Sequence, residues 1–97
     1  MMKYMNVVKF KVKQKYLVEF ETKAYQQKNF KGQLNEYFVK TGEHDYIAVG
    51  LWESEEKMIA ARPAMIDFLD SIRHTLEELS PTLGVTDPAA GHVMFEG

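Results

Sequence analysis

The chain has 97 residues, of which 45% are hydrophobic and 27% are charged. This balance is typical of one globular domain, so residues 1–97 are interpreted as a single domain without a membrane span. A formal net charge of −2 gives no electrostatic reason to bind nucleic acid. The chain has no cysteine, which excludes disulfides and cysteine-bound metal and fits a reducing compartment, with the cytoplasm as the default expectation.

The first half of the chain predicts a strand, a helix and a hairpin. Residues 5–12 alternate between apolar and polar side chains, which is typical of an amphipathic strand. Residues 16–27 carry apolar side chains at helical spacing, which predicts a helix with a weak start. Two strands over 34–40 and 46–52 are rich in aromatic and β-branched residues, and the short segment 41–43 between them indicates a hairpin turn.

The second half predicts a long helical segment and a last strand. Ser54 offers a hydroxyl N-cap, and the two glutamates after it suit the positive end of a helix dipole. Pro63 predicts a break or kink near 61–62, with Pro63 opening a second helical segment. That segment has an apolar stripe formed by Met65, Leu69, Ile72, Leu76 and Leu79. Residues 84–91 are rich in turn formers, and the alternation over 92–96 predicts a short strand.

The element order predicts an α+β fold of the ferredoxin-like β-α-β-β-α-β type, an antiparallel sheet with both helices on one face. On the third strand, Ile47, Val49 and Leu51 are interpreted as core. The uncovered sheet face is then predicted to carry Lys9, Lys11, His44, Tyr46, Trp52, His92 and Met94, with Tyr37 or Phe38. So much aromatic surface favours a homodimer, sheet against sheet. Between sheet and partner, the small residues Ala48 and Gly50 would leave a cavity for a flat molecule.

Four stretches of the chain resemble the antibiotic biosynthesis monooxygenase domain family, of the dimeric α+β barrel superfamily. They are Gly50–Ser54, Ala60–Met65, Leu69–Asp70 with Arg73, and Leu83–Pro88 with Gly91. The resemblance spans nearly the whole chain. It implies a homodimer and, in characterised relatives, cofactor-independent oxidation of polyketide-type aromatics, haem degradation or quinol oxidation.

The resemblance can be followed residue by residue in two branches of the family. The haem-degrading branch uses an Asn on the first strand, and a Trp and a His on the helix after the third strand. Asn6 can stand for the first, but Ala61 and Ser71 occupy the other two places, which argues against haem degradation. The monooxygenase branch holds a phenolic substrate with Asn, Trp and Tyr groups while oxygen adds to the electron-rich carbanion. Asn6, Trp52 and Tyr46 supply those residue types.

Two functional hypotheses follow from these residues. In the first, the protein is a cofactor-independent monooxygenase of a small aromatic or quinol-type compound. Its candidate catalytic residues are Tyr46, Asn6, His44 and His92, and its candidate substrate-binding residues are Trp52, Tyr37 and Lys9. No ligand-spaced His, Asp and Glu cluster predicts a metal site. In the second hypothesis, the same fold is a non-catalytic dimeric ligand-binding or structural domain whose aromatic face is used by the dimer contact.

Overall fold

A computed structural model describes residues 2–97. Its main elements are β1 Tyr4–Lys11, α1 Leu17–Gln26, β2 Gln33–Lys40, β3 Asp45–Trp52, α2 Glu55–Ile72 and β4 Asp87–His92. Single 3-10 turns precede α1 at Gln14–Tyr16 and follow α2 at Arg73–Thr75. The four strands form one antiparallel sheet in the order β2-β3-β1-β4. The predicted ferredoxin-like α+β fold is therefore confirmed.

Both helices lie on the same face of the sheet, as the sequence predicts. One core cluster joins β1 and β3 to both helices through Phe10, Val12, Phe20, Tyr46, Ile72 and Leu76. A second cluster joins the other end of the sheet to α2 through Tyr4, Trp52, Met58 and Ala61. In these clusters the large aromatic side chains supply much of the buried apolar surface.

The two faces of β3 are the reverse of the prediction. Tyr46 and Trp52 are only 4% and 0% exposed, since both lie under the helices. Each pairs with a β1 residue that also faces the helices, and register fixes the face of every residue along a strand. The side of the sheet that no helix covers, which we call the open face, instead receives three half-buried apolar residues of β3: Ile47, Val49 and Leu51.

Helix α2 is continuous through Pro63, so of the break or kink predicted near 61–62 the break is wrong. Proline removes the hydrogen bond that would reach back to the carbonyl of Ile59. Both residues lie on the exposed side of the helix, where water can solvate that carbonyl. Ser54 is the N-cap as predicted, because its Oγ accepts a hydrogen bond of 3.3 Å from the backbone N–H of Lys57. The helix ends before the predicted Leu79.

The last strand lies earlier than predicted, at Asp87–His92 rather than 92–96. It pairs with β1 at the edge of the sheet. An edge strand tolerates Pro88, since a missing N–H on its outer side breaks no ladder hydrogen bond. Among residues 2–97, no helix combines the length and apolar character needed to cross a membrane.

Candidate active site

A cavity of about 360 Å³ lies between the sheet and helix α2. Its floor is a row across three strands, formed by Val8, Ala48 and Phe38, which are paired in register. Its roof is the inner side of α2, with Met65, Ile66, Phe68, Leu69 and Ile72. The sequence placed a cavity between the sheet and a partner chain. The structure places this one within a single chain, because the side of β3 with the small residues faces the helices.

Asn6 and Trp52, both predicted site residues, meet at the polar end of this cavity. The indole Nε1 of Trp52 donates a hydrogen bond of 2.8 Å to Asn6 Oδ1. Trp52 is fully buried and stacks on Phe30 with ring centroids 6.3 Å apart. Asn6 also lines the cavity. With Oδ1 turned to the indole, the Asn6 Nδ2 group makes no hydrogen bond within residues 2–97, so it can donate to a ligand.

Gly50 creates the space in which these polar groups converge. It lies between Asn6 and Glu36 in one row across β1, β3 and β2. A methyl group at Gly50 would lie 2.5 Å from Asn6 Oδ1, 2.9 Å from Gln33 Nε2 and 3.0 Å from Trp52 Nε1. All three distances are shorter than ordinary van der Waals contact, so only glycine leaves these side chains where they are.

A β-bulge in β2 brings Gln33 and Glu36 to the same side of the sheet. Residues three apart point to opposite faces of a regular strand, but the register shifts by one residue between Gln33 and Asn35. Gln33 Nε2 therefore donates a hydrogen bond of 2.6 Å to Glu36 Oε2. Burial raises the pKa of the Glu36 carboxyl above its ordinary value, and the hydrogen bond from Gln33 partly offsets that rise.

Tyr46 lies at the other end of the fold from this polar group. Its ring stacks on Phe10 at 5.7 Å, and its hydroxyl donates a hydrogen bond of 2.5 Å to Glu21 Oε2 on α1. Burial is the largest cause that raises the pKa of the Tyr46 hydroxyl, and the hydrogen bond to Glu21 raises it further. Tyr46 does not line the cavity beneath α2. In the structure it joins the first core cluster instead of the open face on which it was predicted.

The remaining predicted site residues are scattered. His44 lies in the turn before β3, and its Nδ1 is buried with no hydrogen-bond partner in the described part of the chain. His92 is exposed at the end of β4, on the helix side of the sheet against Tyr4, and not on the open face. Tyr37, 57% exposed, and Lys9 do lie on the open face as predicted. None of these four predicted residues lines the cavity.

Three polar side chains that line the cavity are not among the predicted site residues: Glu36, Arg62 and Thr86. Gln33, which donates a hydrogen bond to Glu36, is not among them either. The sequence of β2, QLNEYFVK, contains one indication of Glu36, because alternation places Glu36 on the same inward side as Phe38. An acidic residue at an inward position is unusual, because burial penalises its charge. Gln33 could not be placed beside it without knowledge of the bulge. Within residues 2–97, no group of three or more His, Asp or Glu side chains is positioned to hold a metal ion.

Replacing Gly50 by Ala is expected to destabilise the protein by about 1–3 kcal/mol, because the added methyl overpacks a site with no free space. The side chain of Asn6 is the least constrained neighbour and is expected to turn away, leaving the indole N–H of Trp52 without its acceptor. Trp52 is the chain's only tryptophan, so urea unfolding followed by its fluorescence measures the change.

The matched control is Gly91→Ala on β4, where a methyl group meets nothing within 4 Å. It is expected to change stability by less than about 0.5 kcal/mol. Equal effects of the two substitutions would contradict the role of Gly50 as the space between Asn6, Gln33 and Trp52.

Solved structures with this architecture include three whose descriptions bear on function. A variant of SnoaB, a cofactor-independent oxygenase from Streptomyces nogalater, has a TM-score of 0.70 at 12% identity, covering 99% of this chain and 97% of that one. A dimeric ferredoxin-like protein from an uncultured marine organism has a TM-score of 0.72 at 12% identity, covering 100% and 92%. The monooxygenase ActVA-Orf6 of Streptomyces coelicolor, in complex with Nanaomycin D, has a TM-score of 0.61 at 22% identity, covering 99% and 89%.

No protein-family model matches the chain, and no curated protein matches it by sequence. At these identities the structural likeness shows a shared fold over nearly the whole of both chains. That fold agrees with the one implied by the resemblance to antibiotic biosynthesis monooxygenases.

Proposed function

We propose that the chain belongs to the antibiotic biosynthesis monooxygenase family and is a cofactor-independent monooxygenase of a small hydroxylated aromatic or quinol-type compound. The observation that carries the proposal is the apolar cavity of about 360 Å³ with Asn6 at its polar end. Small-molecule sites commonly enclose about 300–1,000 Å³ and combine apolar walls with a few polar groups. The sequence resemblance and the descriptions of SnoaB and ActVA-Orf6 support this class of reaction.

The proposed chemistry assigns different tasks to the cavity walls and to Asn6. The apolar floor and roof hold a flat ring and exclude water, which strengthens any electrostatic interaction inside. When a ring carbon of the ionised phenol adds to oxygen, negative charge moves from the phenolate oxygen to the newly added oxygen. The Asn6 amide, held by Trp52, donates a hydrogen bond to that charge. Tyr46, His44, His92, Tyr37 and Lys9 lie outside the proposed site.

We also propose that the protein is a homodimer joined through the open face. That face carries apolar side chains from three strands: Met5, Val7, Tyr37, Val39, Ile47, Val49 and Leu51. Of these, Tyr37 and Val39 are 57% and 43% exposed in the single chain. Contiguous apolar surface of this kind marks a partner surface, and a two-fold dimer would pair this face with the same face of a second copy. The dimeric ferredoxin-like neighbour supports this assembly.

The alternative function is a non-catalytic dimer that binds an aromatic ligand or only supports an assembly. It shares the fold and the open face but predicts no oxygen consumption. The lack of cysteine fits a reducing compartment, so we keep the cytoplasm as the proposed location.

Oxygen consumption with a panel of naphthols and naphthalene diols tests the proposed activity. The wild type is expected to consume oxygen faster than the spontaneous reaction of at least one compound. Asn6→Asp keeps an oxygen acceptor for Trp52 but removes the amide donor, so the rate is expected to fall about 100-fold, as for removal of one oxyanion donor. Consumption by neither protein would favour the non-catalytic alternative, and an undiminished rate in the variant would remove Asn6 from the mechanism.

A further inference from the structure

Glu36 is the one carboxyl group on the wall of a mostly apolar cavity within residues 2–97. Among the ion pairs formed by residues 2–97, none includes Glu36. A partly buried carboxyl group without a cationic partner costs stability, because burial disfavours its ionised form. Packing alone does not explain an acidic side chain at this position.

The neighbouring Gln33 fixes the orientation of the Glu36 carboxyl. Gln33 is only 9% exposed, and its Oε1 accepts a hydrogen bond of 3.1 Å from the backbone N–H of Phe30. Because only the amide oxygen can accept from that N–H, this contact assigns the oxygen and nitrogen of the Gln33 amide. Nε2 is therefore the atom that donates to Glu36 Oε2 at 2.6 Å. The other carboxyl oxygen, Oε1, makes no hydrogen bond within residues 2–97 and remains free to accept one.

The row through Gly50 thus presents two free polar atoms to the cavity, a donor on one side of Gly50 and an acceptor on the other. Asn6 Nδ2 offers the donor on β1, and Glu36 Oε1 offers the acceptor on β2. A complementary ligand carries one oxygen that accepts from the amide and one hydroxyl that donates to the carboxylate. A ring bearing two oxygen substituents meets both requirements, whereas a hydrocarbon or a fully etherified ring does not.

We propose that Glu36 is the base of this site and accepts the proton of an aromatic hydroxyl, so that the cavity selects a ring with a free hydroxyl and a second oxygen. The O–H bond of the ligand breaks, its electron pair stays on the ligand oxygen, and a new O–H bond forms at Glu36 Oε1. The transfer consumes no oxidant. This role of Glu36 rests on the proposed function, which places the site in this cavity and makes oxygen the later reactant. Gln33 is a positioning residue that holds the base.

The environment of Glu36 suits this task. Burial raises its pKa, so the difference in pKa between this carboxyl group and a phenol is smaller than for a carboxyl group in water. Proton transfer from the phenol is therefore less unfavourable. Facing it from β1 and β3 are Asn6 and Gly50, which do not titrate. Arg62 on α2 is the only other charged side chain that lines the cavity within residues 2–97. Arg62 forms no ion pair with Glu36, so the carboxyl group keeps the raised pKa that its burial causes.

The test is calorimetric binding under nitrogen, which separates recognition from the reaction with oxygen. The probes are 4-methoxy-1-naphthol, which has one hydroxyl and one ether oxygen, and 1,4-dimethoxynaphthalene, which has no hydroxyl. The wild type is expected to prefer the naphthol at least about tenfold, since hydrogen bonds to a charged acceptor are the stronger kind. Its affinity for the naphthol is expected to rise with pH as Glu36 ionises, above the ordinary carboxyl value of 4.5.

Two variants and one control complete the design. Glu36→Leu is expected to lose the preference for the naphthol, and Glu36→Gln to lose the pH dependence while retaining part of the preference. Glu21→Gln removes a carboxyl that lies outside the cavity, so it is expected to behave as the wild type. Equal affinity for the two probes, no binding of either, or an unchanged preference in Glu36→Leu overturns the proposal.

The same proteins in air separate this inference from the proposed function. A naphthol preference that depends on Glu36, without oxygen consumption, supports the base and rejects the monooxygenase. Oxygen consumption that is unchanged in Glu36→Leu supports the monooxygenase and rejects Glu36 as its base.

Discussion

Replacing Ala48 by Leu is expected to weaken binding of 4-methoxy-1-naphthol and leave the fold intact. Ala48 lies at the centre of the cavity floor, between Val8 and Phe38 in the same row. A leucine side chain there projects into the space that the ring needs. Affinity is expected to fall at least tenfold, measured by calorimetry.

The stability of Ala48→Leu shows whether the loss has the expected cause. Extra methylene groups in a filled core cost about 1–3 kcal/mol, but a cavity of about 360 Å³ can receive them, so the cost is expected below about 1 kcal/mol. Undiminished affinity in a folded variant would show that aromatic ligands bind elsewhere.

Replacing Val49 by Lys is expected to convert the homodimer into a monomer. Val49 is the next residue along β3 and lies on the open face, between Val7 and Tyr37. In the single chain Val49 is half-buried, and a lysine at this position can reach water, but in a sheet-against-sheet dimer its charge would be buried against the open face of the partner. Two buried like charges without partners are strongly unfavourable.

Light scattering after size-exclusion chromatography measures this change. The wild type is expected at twice the chain mass of 11.2 kDa, and Val49→Lys at that mass. Val18→Lys on α1 is the matched control, because Val18 is 82% exposed on the opposite side of the molecule and its substitution is expected to leave the dimer unchanged. A monomeric wild type, or a Val49→Lys variant that still forms dimers, would contradict the proposal that the open face is the dimer interface.

The two substitutions on β3 are controls for each other. Side chains of neighbouring residues on a strand point to opposite faces. Ala48→Leu is therefore expected to weaken ligand binding and keep the dimer, whereas Val49→Lys is expected to lose the dimer and keep the cavity.

The type of most elements could be predicted because they have a periodicity of their own. The strand signal in residues 5–12 and the capped helix after Ser54 are local patterns, and both match the structure within a few residues. The last strand was placed too late because DPAAGH lacks β-branched and aromatic residues. Its pairing comes from its position beside β1 and not from its own propensity.

The faces of β3 could not be assigned from its sequence. Tyr46 and Trp52 on one side and Val49 and Leu51 on the other are all apolar, so alternation marks two faces without showing which one the helices cover. This ambiguity placed the predicted cavity on the wrong side of the sheet. Asn6 and Trp52 were identified by residue type, and the structure brings them together through the register of β1 and β3.

Glu36 illustrates the part of the site that depends on geometry alone. Its hydrogen bond with Gln33 requires the bulge in β2, and the approach of Gln33 to Asn6 requires a glycine between them on β3. Neither relation is encoded in a local pattern.

The measurement that tests the central claim most directly is a crystal structure of the protein with 4-methoxy-1-naphthol bound under nitrogen. We predict the ring between the sheet and α2, above Ala48, with its hydroxyl on Glu36 and its ether oxygen toward Asn6. A ring bound on the open face or between two chains, with the cavity under α2 empty, would contradict the assignment of this cavity as the active site.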